Sequence, residues 1–319
     1  MKLGARLVRS LAALLGAGML TACLAPAPTL KPQSRPAGLV PKPVAAPKTP
    51  SKERLALESH FARIQADHLA RGLMRVDGGG PDTRFTAADL LTNFSRIAFV
   101  DEYRLGPTNA NDTGYNRLRR WTKPIRMSVT FGKSISDEQR QTDSADIADY
   151  AARLSRLTGH PMSKARGGSA NYHVMVMSLD DRDELQSHIR RIVPNASRAT
   201  LSLFRNLPRS THCLVWAQPS ADNAAIYDSA IILIRAEHPH LGRKSCIHEE
   251  MAQGLGLIKD SPKARPSIFN DDEEFAYLTT HDEMLLKMLY DPRLQPGMSF
   301  DQARPIAMTI AAELTGNMY

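Results

Sequence analysis

Apolar positions along residues 51–76 step by four, three and four (Leu57, Phe61, Ile64, then His68), and that spacing predicts a helix with one inward face. Asp77-Gly78-Gly79-Gly80-Pro81 breaks it. Thr86-Ala87-Ala88-Asp89 has the form of a capping box, with Phe85 placed to staple onto Leu90. The helix it opens buries Leu90, Leu91, Phe94 and Ile97. From Trp121 onward the period changes. Residues 125–131 (IRMSVTF) alternate as a strand, and 136–158 form an amphipathic helix with Ile147, Tyr150, Ala151, Leu154 and Leu157 inward. Strands are predicted at 172–179, 213–217 and 226–234, and helices at 181–192, 247–258, 280–290 and 300–315. Strands interleaved with helices predict an α/β (α+β) domain of two or three layers around one core.

The ends of the chain add compartment and organisation. Lys2, Arg6 and Arg9 precede a short apolar run, residues 11–20, which is too short for a mature membrane span. Leu20-Thr21-Ala22-Cys23 then has the form of a lipoprotein cleavage box. The thiol of Cys23 takes a diacylglycerol and the new N-terminus is acylated, which gives stable anchoring where one chain is marginal. The competing reading is a secretory signal with a chance cysteine. Leu24 stands where an inner-membrane retention signal places Asp, so the expected location is the outer membrane of a Gram-negative bacterium, with the mature domain facing the periplasm. Residues 24–50 hold eight of the 21 prolines and no aromatic residue, as a semi-rigid tether does. The division is a signal peptide (1–22), an anchor and Pro-rich tether (23–50), a helical extension (51–119) and a main domain (120–319).

The formal charge of +8 raises nucleic acid as a partner, and its distribution removes it. Three of the charges fall in the signal and four in residues 23–50 (Lys31, Arg35, Lys42, Lys48), which leaves +1 for the remaining 269 residues. Cys213 and Cys246 form an even pair in an oxidising compartment. Bonded, they close a loop of about 33 residues and add roughly 3–4 kcal/mol in the chain-entropy model. Two buried free thiols are the alternative.

Candidate chemistry is concentrated at residues 248–261. His248-Glu249 begins like H-E-x-x-H, but Ala252 stands where the second histidine must be, four residues on. Shifted by one residue, Glu249 and Gln253 share one helix face, Ile247, Met251 and Leu255 share another, and Gly256 lets the helix end. In that register the stretch resembles the zinc-binding consensus of metzincin metallopeptidases, H-E-x-x-H-x-L-G-L-x-H. Glu249 stands for the first histidine, Glu250 for the catalytic glutamate, Gln253 for the second histidine and Lys259 for the third, and Leu255-Gly256-Leu257 matches outright. Ser267-Ile268-Phe269 resembles the methionine turn with Phe in place of Met. Residues 278–290, with Leu278, Asp282 and Leu289-Tyr290, resemble the closing helix of matrixins, and 121–127 resemble their first strand. From about residue 85 to 305 the chain is similar to the bacterial lipoprotein family catalogued as domain of unknown function 2927. Its marks here are Glu249-Glu250, Gln253, Leu255-Gly256-Leu257, Asp260-Ser261, residues 267–271, Leu289-Tyr290-Asp291 and Pro296-Gly297-Met298.

The resemblance implies a twisted mixed sheet with a central helix, and no established activity. Catalytic zinc takes three His, Cys or carboxylate ligands plus water. Glu249 qualifies, the amide of Gln253 is a poor ligand, and the ammonium of Lys259 repels a metal. No metal or cofactor is therefore expected, and Lys259 is expected to pair with Glu249, Glu250 or Asp260 in a vestigial cleft. The leading expectation is a non-catalytic module for a peptide or an envelope protein, because metzincin clefts bind peptides beside an edge strand. The rival is a hydrolase with Glu250 as general base and an atypical metal. Two further metal sites come into view, His248 with His281 or an acidic residue, and calcium at residues 270–274, where an exposed acidic turn is the alternative. There is no G-x-S-x-G, P-loop, G-x-G-x-x-G or C-x-x-C.

Overall fold

Strand β3 (Tyr172–Met177) and strand β5 (Tyr227–Arg235) carry continuous apolar runs, 174–177 and 230–234, because both of their faces are covered there. Tyr172, Val174 and Val176 point to one side with Ile232 and Ile234, while Met175, Met177, Ile231 and Leu233 point to the other. The computed structural model describes residues 49–99 and 117–316. Cys23, the signal and almost all of the tether lie outside the described residues.

The sheet has five strands in the order β2-β1-β3-β5-β4. β1 is Ile125–Phe131, β2 is Met162–Lys164 and β4 is Cys213–Pro219. β2, β1, β3 and β5 run parallel, and β4 pairs antiparallel to β5 with Cys213 opposite Ile234 and Trp216 opposite Ile231. β4 is an edge, with no strand partner on its outer side among the described residues.

Eight helices are described: α1 (Lys52–Ala70), α2 (Ala87–Phe99), α3 (Asp137–Thr158), α4 (Arg182–Ile192), α5 (Arg198–Arg205), α6 (His240–Gln253), α7 (Thr280–Tyr290) and α8 (Phe300–Thr315). The larger core lies between one sheet face and helices α2, α3, α6, α7 and α8. α4 and α5 cover part of the opposite face through Leu185, Ile189, Leu201 and Phe204. The mixed α/β class is as the sequence predicts, in three layers. α2, which falls in the extension by the division at residue 119, places Leu90, Phe94 and Ile97 in the larger core.

Two predicted helices have other limits. α1 stops at Ala70, not residue 76, because Gly72 turns left-handed (φ +76°) and the Leu73 and Gly72 amides bond back to the His68 and Leu69 carbonyls. Residues 74–76 instead run beside the turn at 273–276, with the Met74 amide on the Glu273 carbonyl at 2.9 Å. α6 covers residues 240–253 rather than 247–258. Cys213 and Cys246 are bonded, with α-carbons 5.8 Å apart, so the disulfide ties the start of β4 to α6.

Candidate functional site

The end of α6 is held by side chains from β3, from α7 and from the segment before β1. The helical ladder runs out over its last turn, and the carbonyls there find partners from the residues that follow and from other side chains. Glu250 O accepts from Gly254 N, Ala252 O from Leu255 N, and Gln253 O from Gly256 N. Met251 O accepts from the Tyr172 hydroxyl at 2.7 Å. Just beyond, Trp121 Nε1 donates to Gly254 O and the Tyr290 hydroxyl to Leu255 O. Gly256 has φ +128°, and a Cβ there would stand 2.5 Å from the Arg119 carbonyl oxygen, so only glycine fits the turn. Buried Ile247, Met251 and Leu255 form the inward face. That fixes the direction of Glu249, Glu250 and Gln253, which line a cleft of about 650 Å³.

The cleft follows the edge strand. β4 contributes Leu214, Val215, Trp216 and Ala217 to its wall. α5 and the residues after it add Leu203, Phe204 and Leu207. α1 brings Phe61, Ile64, Gln65 and His68 to the same space, and Gln65 Oε1 accepts from Gly242 N on α6 at 2.9 Å. Asp260, Asp271 and Glu273 complete it. Glu250 and Gln253 are buried within this lining, and Glu249 is half-buried.

Of the sequence-predicted site residues, Glu249, Glu250, Gln253 and Asp260 come together. Gln253 Nε2 donates to Asp260 Oδ1 at 3.0 Å. Lys259 does not join them. It is absent from the cleft lining, its backbone amide goes to the Ile97 carbonyl at 3.2 Å, and it makes no ion pair with Glu249, Glu250 or Asp260. The reason lies in the turn: the chain leaves α6 at Gly256 and runs back over α2. The expectation that Lys259 takes a metal's electrostatic place is thereby corrected.

The same geometry tests zinc. Gln253, in the second histidine's position, donates its amide to Asp260, and Lys259, in the third, is not among the residues lining the cleft. Among the described residues no group of three His, Cys, Asp or Glu side chains is arranged to hold a metal ion. The residues present do not fit the group.

His248 and His281 are each committed to partners inside the fold. His248 is buried, stacked on Tyr150 with ring centroids 4.0 Å apart, and its Nδ1 accepts the Leu278 amide at 3.1 Å. Burial pulls its pKa down to about 3, so the ring is neutral. His281 is fully buried, with Nε2 on the Asn93 amide at 3.1 Å. Neither lines the cleft.

The turn at 267–269 is clipped to the start of α7 by one carboxylate. Asp282 accepts from the Ser267 hydroxyl, the Ile268 amide and both the amide and hydroxyl of Thr279. Residues 270–274 do not surround a vacant ion site. Asn270 and Asp272 bond each other, and Glu274 is paired with Arg75 and Arg265. Glu273 faces the cleft instead, and burial raises its pKa. Sequence reasoning missed Glu273, Asp271 and the α1 face as cleft walls, since they meet α6 only through long-range packing.

A family model described as "Protein of unknown function (DUF2927)" matches residues 87–309. No curated protein and no solved structure matches the chain.

Proposed function

The chain belongs to the DUF2927 family, and we propose that it is a non-catalytic binding protein of the bacterial outer membrane, anchored through lipidated Cys23, whose metzincin-like cleft holds an extended peptide segment of an envelope partner. The observation that carries this reading is the cleft along the outer side of β4. An edge strand offers unpaired main-chain groups to an added strand, and side-chain pockets beside it give selectivity. The metzincin-like part draws support from a mixed sheet whose antiparallel edge strand lies beside α6, and from the Asp282-clipped turn in the place of the methionine turn. The non-catalytic part draws support from the positions of Gln253 and Lys259.

Extended peptides titrated into the full chain test the binding. Trp216 lines the cleft while Trp121 is buried, so the fluorescence change reports on the cleft and is lost in Trp216→Phe. Peptides N-methylated at alternate residues cannot add as a strand and are expected to lose affinity. Equal binding by methylated and unmethylated peptides refutes strand addition. Metal analysis of the full chain, purified without added metal, is expected to give no stoichiometric zinc. About one zinc per chain, with peptide hydrolysis abolished by chelator and by Glu250→Gln, overturns the non-catalytic reading.

A further inference from the structure

We propose that the cleft selects a strand with two different faces: two apolar side chains, spaced two residues apart, lie against the α5 side, and the polar side chains between and beside them lie against α6. This selection rests on the peptide-binding reading and gives its ligand a sequence pattern.

The pairing on the inner side of β5 fixes which main-chain groups of β4 face outward. Ala230 N donates to Asn171 O at 2.9 Å, and Ala236 N to Met177 O at 3.0 Å. In a regular strand the N–H and C=O of one residue point to one side and those of the next residue to the other. The even positions of β5 therefore face β3, while Ile231 and Leu233 face β4, where Trp216 and Leu214 stand opposite. Those are the hydrogen-bonded pairs of the antiparallel ladder, and Val215 opposite Ile232 is a non-hydrogen-bonded pair. Cys213, Val215 and Ala217 thus direct their main-chain groups away from β5. Among the described residues no strand receives them.

The two faces of β4 differ in chemistry. Leu214 and Trp216 pack with Leu201 and Phe204 of α5, and the rings of Trp216 and Phe204 lie 5.8 Å apart. This side is incompletely covered: Leu214 and Trp216 are half-buried, and Leu203 beside them in the cleft is 40% exposed. Cys213, Val215 and Ala217 lie on the other face, packed toward the core that holds α6. There α6 brings the carboxyl and amide groups of Glu249, Glu250 and Gln253 to the cleft.

Side chains directly opposite one another on paired strands share a face. A segment added along β4 therefore sets the residues opposite Leu214 and Trp216 on apolar surface, and those opposite Cys213, Val215 and Ala217 beside the polar groups of α6. Both strand directions obey this rule, because the side-chain period is two in each. A slip of one residue exchanges the faces, so the pattern also fixes the register. An apolar side chain on the α6 side would take water from carboxyl and amide groups and return no hydrogen bond.

The test uses the full chain and three heptapeptides of threonine. One carries leucine at its third and fifth positions, one carries leucine at its third and fourth, and one carries none. Kd is read by calorimetry, and Trp216 fluorescence reports the apolar side. The peptide with separated leucines is expected to bind at least about tenfold more tightly than the peptide with adjacent leucines, with the larger blue shift of Trp216. The peptide without leucine is expected to bind most weakly. In Leu203→Ser, a change at an exposed position, the advantage of the separated leucines is expected to shrink by about threefold or more. Equal Kd for the two leucine peptides, tighter binding of the adjacent pair, or an advantage unchanged in Leu203→Ser overturns the two-faced selection while the peptide-binding reading stands. Failure of all three peptides to bind overturns both.

Discussion

At the scale of single residues, the histidines at 238 and 248 are the clearest link between burial and behaviour. Each is held neutral in the fold, with a pKa near 3 against an ordinary value of 6.5. Protonation therefore favours the unfolded chain. Their contribution is complete above about pH 6.5 and is lost as pH falls toward 3. By pH 4.5 each removes about 2–3 kcal/mol of stability. Urea midpoints measured from pH 7 to 4 are expected to fall steeply for the native protein. In His248→Asn the baseline is lower, because the stack on Tyr150 is lost, and the slope is shallower. An unchanged slope in that variant would show that His248 does not carry this pH dependence. The residue pattern around His248 suggested a metal ligand, and only the fold reveals that its Nδ1 is committed to the Leu278 amide.

At the scale of elements, the end of α6 depends on hydroxyls delivered from the sheet and from α7. Tyr172→Phe leaves the Met251 carbonyl without that partner in a buried place and is expected to cost about 1–3 kcal/mol, measured as a shift in urea midpoint. The periodicity of the chain made most elements legible. β1, α7 and α8 have the limits that the sequence pattern predicts. α6 was half legible, since His240-Leu241-Gly242-Arg243-Lys244 has no apolar stripe. That turn is helical for a tertiary reason: Arg243 reaches buried Asp143 on α3 through Nε at 2.8 Å and the His238 carbonyl through Nη1 at 2.7 Å. β2 is three residues long and α5 eight, too short for a period to declare itself.

At the scale of the molecule, the cleft is assembled from parts far apart in sequence, and this is why so little of it was legible. The motif at 249–260 disclosed the α6 side. Nothing in the spacing of residues 61–68 or 271–273 says that they face it. α1 lies outside the span that defines the family, yet it forms one wall, and its N-terminus follows directly on the tether. If Cys23 is the anchor, the cleft wall is joined through about 28 residues to the membrane, a fully extended reach of roughly 80–90 Å. Cys23→Ser is then expected to move the protein to the soluble periplasmic fraction or to leave an unprocessed precursor. Unchanged fractionation with the outer membrane rejects lipid anchoring.

The bond between Cys213 and Cys246 has a consequence for how copies of the chain treat one another. An open strand edge is a template for pairing with the same edge on a second molecule. The disulfide fastens the first residue of that edge to α6 and keeps it part of a folded wall. Reduction removes roughly 3–4 kcal/mol in the chain-entropy model and frees the edge to fray outward. Reduced protein is therefore expected to aggregate with concentration, seen as rising light scattering, while oxidised protein stays monodisperse. On this expectation, solubility of the chain depends on a surrounding that keeps Cys213 and Cys246 oxidised.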